Sequence, residues 1–71
     1  MRAMVFIDGK IVKYFDGSRK NCAAYMQGAA EGLEAGGARL IFRRDDINPD
    51  GVWGGWTGMG KPIAIFSWDG R

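Results

Sequence analysis

A run of strand-forming residues at the start of the chain predicts a β-hairpin. Residues 2–16 read RAMVFIDGKIVKYFD and are rich in the β-branched and aromatic side chains that favour strands. Asp8-Gly9-Lys10 interrupts this run, and a two-residue turn is expected on either Asp8-Gly9 or Gly9-Lys10. The two registers differ by two positions and therefore sort the side chains onto the same two faces. We expect one face to carry Ala3, Val5, Ile7, Val12 and Tyr14, and the other Arg2, Met4, Phe6, Ile11, Lys13 and Phe15.

An amphipathic helix is predicted after the hairpin. Its first turn can be capped by Asp16 or by Ser18, whose side-chain oxygens accept hydrogen bonds from free backbone N–H groups. Gly36-Gly37 is a natural end, since glycine readily adopts the left-handed conformation that follows a last helical turn. The apolar stripe, which should pack on a sheet, consists of residues at intervals of four, three and four: Cys22, Met26, Ala29 and Leu33.

Two glycines inside the predicted helix need a structural reason. Gly28 and Gly32 each cost about 1 kcal/mol of helix stability relative to alanine. Close approach of the helix to the sheet would offset this cost, and so would helix-to-helix contact in a dimer. Close approach to the sheet is the explanation we expect.

The second half of the chain predicts further strands. Residues 38–47, ARLIFRRDDI, favour a third strand, and residues 61–68, KPIAIFSW, favour another. Between them, residues 48–51, NPDG, have the composition of a tight turn. Residues 52–57, VWGGWT, are compatible with a short strand or with a loop. Because paired glycines weaken strands, we do not expect this segment to form a good inner strand. Regular alternation along the third strand would place Leu40 and Phe42 on one face, opposite Arg39, Ile41 and Arg43.

Together these elements predict a single α+β domain over residues 1–71. The order is a β-hairpin, one α-helix and then a second hairpin or a three-stranded meander, ββαββ or ββαβββ. The sheet should be antiparallel, with the helix packed on one of its faces. A chain of 71 residues is too short for a second domain. Its core returns little surplus stability, so self-association or a partner can contribute to folding.

Composition excludes most catalytic and metal sites. The chain has no histidine and one cysteine, so the commonest general base and metal ligand are missing, together with every thiolate zinc cluster. Residues 46–51, DINPDG, match the start of a calcium loop, but Thr57 stands where a closing glutamate is required. Asp45 and Asp46 are adjacent, so a strand would point them to opposite faces. We predict a protein that is not an enzyme and that holds no cofactor and no metal.

Charge and cysteine usage bear on location. Ten Lys and Arg against eight Asp and Glu give a net charge of +2, which is compatible with nucleic acid but too small to indicate it. Cys22 has no second cysteine to pair with, whereas small secreted domains usually carry several disulfides. Asp8 cuts the N-terminal apolar stretch, which argues against a signal peptide or a membrane span. We expect a soluble, cytoplasmic protein with no membrane partner.

Two tryptophans on a glycine-rich segment are the first candidate binding feature. Residues 51–60 carry no charge and hold both rings. Tryptophan often dominates binding energy when a partner buries it, and a loop can present it. The competing interpretation is that one or both rings fold back and complete a small core. For a protein-binding loop, the contact residues are Trp53, Trp56 and Met59, with Arg43 and Arg44 beside them.

A basic and aromatic sheet face is the second candidate. Bases stack on rings while cations hold phosphates when single-stranded DNA or RNA is bound. An equally apolar surface with arginine and lysine at its rim also fits a homodimer interface. The candidate nucleic-acid-binding residues are Arg2, Phe6, Lys13, Phe15, Arg39 and Arg43, with Ile41, Phe66 and Trp68 as apolar neighbours.

Size and the missing catalytic groups favour a small non-catalytic protein that binds a macromolecule through its surface, with a protein as the favoured partner. Small inhibitors and accessory proteins of phages or mobile elements, including those of the anti-CRISPR kind, have this profile. The association is at the level of the class, since no motif carries it and fold alone does not determine function. The alternatives are a single-stranded DNA- or RNA-binding module and a homodimeric structural protein.

Overall fold

Two strands, a helix and three further strands follow one another in residues 1–69, the part of the chain that the computed structural model describes. The elements are β1 (Arg2–Ile7), β2 (Lys10–Asp16), α1 (Arg19–Ala35), β3 (Arg39–Arg43), β4 (Gly51–Gly58) and β5 (Lys61–Trp68). The strands form one antiparallel sheet in the order β2-β1-β5-β4-β3, with α1 against one face. This arrangement confirms the predicted α+β class and selects the three-stranded meander.

Two of the strand connections are two-residue turns in the left-handed backbone region. Asp8 and Gly9 have φ values of +55° and +77° between β1 and β2, and Met59 and Gly60 have +52° and +76° between β4 and β5. Turns with positive φ at both central residues match the twist of the strands that they join. Of the two expected positions for the first turn, the structure shows Asp8-Gly9, with Ile7 paired to Lys10.

A bulge in β2 reverses the expected faces for the end of the hairpin. Phe6 pairs with Ile11, but the next pair is Val5 with Lys13, so that Val12 is an extra residue. An extra residue shifts the alternation of side chains by one position. The predicted faces beyond the bulge are therefore wrong. Tyr14 lies on the same face as Arg2 and Met4. Phe15 and Lys13 lie on the other face, with Ala3 and Val5.

A second bulge corrects the prediction for β3 in the same way. Leu40 pairs with Trp56 and Phe42 with Gly55, which leaves Ile41 as the extra residue. Leu40 and Phe42 consequently lie on opposite faces of the sheet, although regular alternation predicted one shared face. β2 and β3 are the two edge strands, so both edges of the sheet carry a bulge.

The glycine-rich segment forms β4, an inner strand paired with both β3 and β5. The expectation that it would make a poor inner strand is wrong, because each paired glycine leaves room for a ring. A Cβ on Gly54 would lie 2.5 Å from the Trp56 ring, and one on Gly55 would lie 2.7 Å from the Phe42 ring. The glycines are therefore sites of close packing on the two faces of β4.

Helix α1 begins and ends where the sequence predicts. Ser18, one of the two expected caps, accepts a hydrogen bond from the backbone N–H of Asn21 at 3.2 Å, and the helix stops before Gly36. Its buried residues are Cys22, Met26 and Ala30, and the predicted Ala29 and Leu33 are half-buried beside them. The buried stripe is thus centred on Ala30 rather than on Ala29 at this point of the helix, and it packs on the sheet as predicted.

Gly28 and Gly32 do not approach the sheet. Both are exposed, and a Cβ built on either would meet no atom within 4 Å outside the neighbouring helical backbone. The expected explanation by close backbone approach is therefore wrong, and nothing in the structure explains these two glycines.

The core lies between α1 and the sheet. Trp56 and Ile65 are fully buried there, and the indole N–H of Trp56 donates a hydrogen bond to Glu34 Oε1 at 3.1 Å, which joins β4 to the helix. The remaining members of the buried cluster are Ala3, Val5, Cys22, Met26, Ala30, Trp53 and Ile63.

Candidate functional site

The face of the sheet opposite α1 is the candidate site, and we call it the open face. Strand register places large apolar or aromatic side chains on it from all five strands. Its residues are Arg2, Met4, Phe6, Ile11, Tyr14, Asp16, Arg39, Ile41, Phe42, Val52, Gly55, Thr57, Pro62, Ala64, Phe66 and Trp68.

Much of this apolar surface is accessible. Tyr14 and Ile41 are each 61% exposed, and Ile11, Phe42 and Trp68 are also exposed. Single exposed apolar residues are ordinary, but a contiguous apolar patch on a small protein marks a contact surface. No element within residues 1–69 covers this patch, because α1 packs on the other side.

One half of the open face is concave. A groove of about 450 Å³ is lined by Phe6, Phe66, Ile41 and Phe42, with Gly55 among the lining residues between them. The Phe42 ring lies over Gly55, and the rings of Phe6 and Phe66 meet edge to face with centroids 6.1 Å apart. The walls of the groove are almost entirely apolar, so it suits an aliphatic or aromatic side chain.

The other half carries a group of side chains built around Arg2, which we call the Arg2 cluster. The guanidinium carbon lies 4.7 Å from the centroid of the Tyr14 ring and 5.9 Å from that of Trp68. Arg2 also donates hydrogen bonds to both carboxylate oxygens of Asp16, at 2.6 and 2.9 Å. The rings and the ion pair hold one another in place, since a bidentate pair fixes the plane of the guanidinium.

The ion pair changes the titration of both partners. Hydrogen bonding from Arg2 lowers the pKa of Asp16 below its usual 3.8, and the same bonds raise the pKa of Arg2. Both groups therefore stay charged at neutral pH, and their charges cancel. Between this cluster and Arg39, the strands place no charged side chain on the open face.

The predicted tryptophan loop is not a loop, and its rings are inside. Trp56 is fully buried and Trp53 is 8% exposed, so the interpretation that both complete the core is confirmed. A regular strand would point residues three apart to opposite faces, but β4 has a bulge at Trp53 between the Val52–Phe66 and Gly54–Ile65 pairs. The bulge brings both rings to the helix side, where their centroids lie 6.0 Å apart.

The other three residues of the predicted protein-binding set, Met59, Arg43 and Arg44, do not belong to the open face. Met59 is fully exposed in the β4–β5 turn. The guanidinium of Arg43 lies 5.6 Å from the Trp53 ring on the helix side, and Arg44 is exposed just after β3. Buried rings offer no surface for a partner, so Trp53 and Trp56 are corrected from contact residues to core residues.

The structure also divides the predicted nucleic-acid-binding set. Arg2, Phe6 and Arg39 share the open face, whereas Lys13 and Arg43 pair with residues that face the helix. Phe15 is on the helix side as well and stacks on Tyr25, with ring centroids 5.1 Å apart. With Arg2 bound to Asp16, the open face itself has a weak positive charge. The sequence signal that found part of this face was the Phe66 and Trp68 alternation in β5, which the register confirms.

Residues 1–69 contain no group of three or more histidine, cysteine or acidic side chains that could hold a metal ion. Asp45 and Asp46 are exposed and line a groove that also holds Arg19 and Lys20, so charges of both signs meet there. The same residues include no helix that is long and apolar enough to cross a membrane.

Comparisons of the chain with protein-family models, with curated proteins and with solved structures give no significant match. The function of the chain is therefore inferred from the geometry and chemistry of the open face.

Proposed function

We propose that this chain is a small non-catalytic protein that works by binding another protein chain on the open face of its sheet. The observation that carries the proposal is an uncovered sheet face with apolar residues contributed by all five strands. Removing such a surface from water stabilises a complex by roughly 25 cal/mol for each Å² of apolar area. A protein partner can cover a face of this size in one contact.

The make-up of the face supports a protein partner over a nucleic acid. Aromatic side chains and arginine are enriched at protein interfaces, and the open face carries Tyr14, Trp68 and Arg2 in one cluster. Single-stranded nucleic acid needs cations along the path of its phosphates. The open face supplies Arg39 and an Arg2 whose charge is already paired with Asp16.

A role without catalysis is supported by the residue types of the chain. Histidine is missing from the sequence, and Cys22 is buried with its thiol pointed at backbone carbonyls of Met1, Phe15 and Gly17. A single buried thiol also suits the reducing cytoplasm. An inhibitor or accessory protein needs a contact surface and no reacting groups, so these features support such a role.

Photocrosslinking from the open face tests the proposal. Tyr14 is replaced by p-benzoylphenylalanine in cells that produce the protein, and the matched control carries the same residue in place of Met59. Both positions are exposed, but Met59 lies in a turn outside the open face. We expect a protease-sensitive adduct at position 14 and none at position 59. A nuclease-sensitive adduct at position 14 would support nucleic-acid binding instead, and equal adducts or none at both positions would overturn the proposed surface.

A further inference from the structure

We propose that the partner on the open face is a second copy of this chain, in a symmetric dimer that buries the two open faces against each other. This inference rests on the proposed function, since it names the occupant of the same surface. Three features of the structure support it: the area of the face, its distribution of charge and its shape.

The area of the face matches what a stable dimer needs. The five exposed large apolar residues of the face keep 41–61% of their surface accessible: Ile11, Tyr14, Ile41, Phe42 and Trp68. At about 200 Å² for a large side chain, these five residues alone contribute roughly 500 Å². The half-buried Phe6, Phe66, Val52 and Ala64 add to this area, which brings the open face towards the ~800 Å² that each partner buries in a standard protein interface.

The distribution of charge favours an identical partner. A heterologous partner is usually oriented by complementary charges across the interface. The open face has its apolar residues in the centre, and at its ends it has the internally paired Arg2 and Asp16 and the single cation Arg39. Permanent interfaces between identical chains are more apolar than others and need no such charge complementarity. This pattern fits a face that is covered in the assembled protein.

The face carries both a protruding side chain and a groove, the two features that a symmetric contact would bring together. Tyr14, which is 61% exposed, projects from the Arg2 cluster at one end, and the groove beside Phe42 lies towards the other. A two-fold axis that lies in the plane of the interface, midway between Tyr14 and the groove, would place Tyr14 of each copy over the groove of the other copy. Such a contact is repeated twice and closes, as symmetric dimer interfaces do.

The edges of the sheet direct association towards the face. Both edge strands contain a bulge, at Val12 in β2 and at Ile41 in β3. β2 also carries Lys10 and Lys13, and bulges with lysine are devices that discourage edge-to-edge pairing of sheets. Association through the open face is therefore favoured over association through the sheet edges.

The mass of the purified chain in solution tests the proposal directly. We expect sedimentation equilibrium to give twice the 7.8 kDa of one chain. Ala64→Arg, at the centre of the open face, should give a single-chain mass because two unpaired guanidinium groups would be buried in the interface. Met59→Arg adds the same side chain in the β4–β5 turn and should remain a dimer.

Tyr14→Glu is a second variant that keeps the test decisive if Ala64→Arg does not fold. Tyr14 is on an edge strand and mostly exposed, so its replacement leaves the core intact. Circular dichroism like that of the natural chain, together with at least a tenfold weaker dimer, would support the interface. Dimers that persist unchanged in both folded variants would place the interface elsewhere and overturn the proposal.

A single-chain mass for the natural protein from micromolar to millimolar concentration would also overturn the second copy as partner. The proposed function would survive that result if position 14 still crosslinks to a different polypeptide in cells. Failure of both measurements would remove protein binding by the open face altogether. The two proposals are therefore separated by the mass of the adduct and the mass of the purified chain.

Discussion

The two faces of the sheet are similar in chemistry and opposite in environment. The helix side holds Trp56 and Ile65 fully buried, with Glu34 accepting the indole hydrogen bond. The open face holds Tyr14 and Ile41 with most of their surface accessible. Both faces are apolar, so hydrophobic pattern alone does not tell which one a helix covers. In this protein, exposure rather than residue type distinguishes the core surface from the proposed contact surface.

Trp53 and Trp56 were predicted as contact residues, but both lie in the core. Tryptophan is a frequent anchor of interfaces, but a 71-residue chain also needs large side chains to fill its single core. Here Trp53 and Trp56 serve the core, and Trp68 on the open face is the tryptophan left accessible. The proposed contact surface combines Phe6, Phe66 and Trp68, which belonged to the second candidate of the sequence analysis, with Tyr14, which that analysis placed on the other face.

The largest expected effect comes from removing the central ring of the covered face. Trp56→Ala should lower the free energy of unfolding by about 3–5 kcal/mol, because it leaves a cavity and removes the hydrogen bond to Glu34. That is a large part of the stability of a small domain. Urea unfolding followed by circular dichroism measures the change. Met59→Ala, in the exposed turn, should change it by less than about 0.5 kcal/mol. Similar losses in the two variants would contradict the burial of Trp56.

A pair of glycine substitutions should give effects of opposite sign. Gly54→Ala places a methyl group against the Trp56 ring and should destabilise the fold by about 1–3 kcal/mol. Gly28→Ala meets open space in the middle of α1 and should stabilise it by up to about 1 kcal/mol.

The same urea measurement distinguishes the two glycine sites. Equal destabilisation would mean that α1 is covered on its outer side, for instance by another chain, and would weaken the contrast drawn between the two faces. An unchanged Gly54→Ala would show that Trp56 can move away from β4.

The smallest expected effect is the pH dependence of the Arg2–Asp16 pair on the open face. Because the pKa of Asp16 is lower in the folded chain than its usual 3.8, the pair stabilises the fold fully well above that value. The contribution is lost as the pH falls through the lower, folded-state pKa. Thermal unfolding of Asp16→Asn and the natural chain should therefore differ slightly at neutral pH and converge in acid. A difference that grows in acid would contradict the assignment.

Much of the fold could be predicted because its signals are local. The Asp8-Gly9 turn and the Ser18 cap, each one of two expected positions, and the Gly36 end depend on the chemistry of a few neighbouring residues, and each is present in the structure. The candidate site was found in part, through Phe6, Phe66 and Trp68, since strands without bulges preserve the alternation that assigns their faces.

Three bulged residues account for the sheet faces that regular alternation could not predict. Val12, Ile41 and Trp53 are each an extra residue in a strand, and each reverses the faces of the residues that follow it or precede it. No local pattern marked them, because a bulge forms in response to the partner strand. The faces of Tyr14, Phe15 and Phe42 were consequently out of reach of alternation alone.

The amino-acid sequence was sufficient to predict the α+β class, the opening hairpin and the end of the helix, because these depend on residue type and short-range spacing. Which apolar surface α1 covers, and which remains open, depends instead on how the strands assemble. That decision depends on strand order, on β4 lying between β3 and β5, and on the bulge that turns Trp53 towards the helix. All three features are set by pairing between strands that are distant in the chain. They therefore form only when the sheet assembles, and no local sequence pattern encodes them.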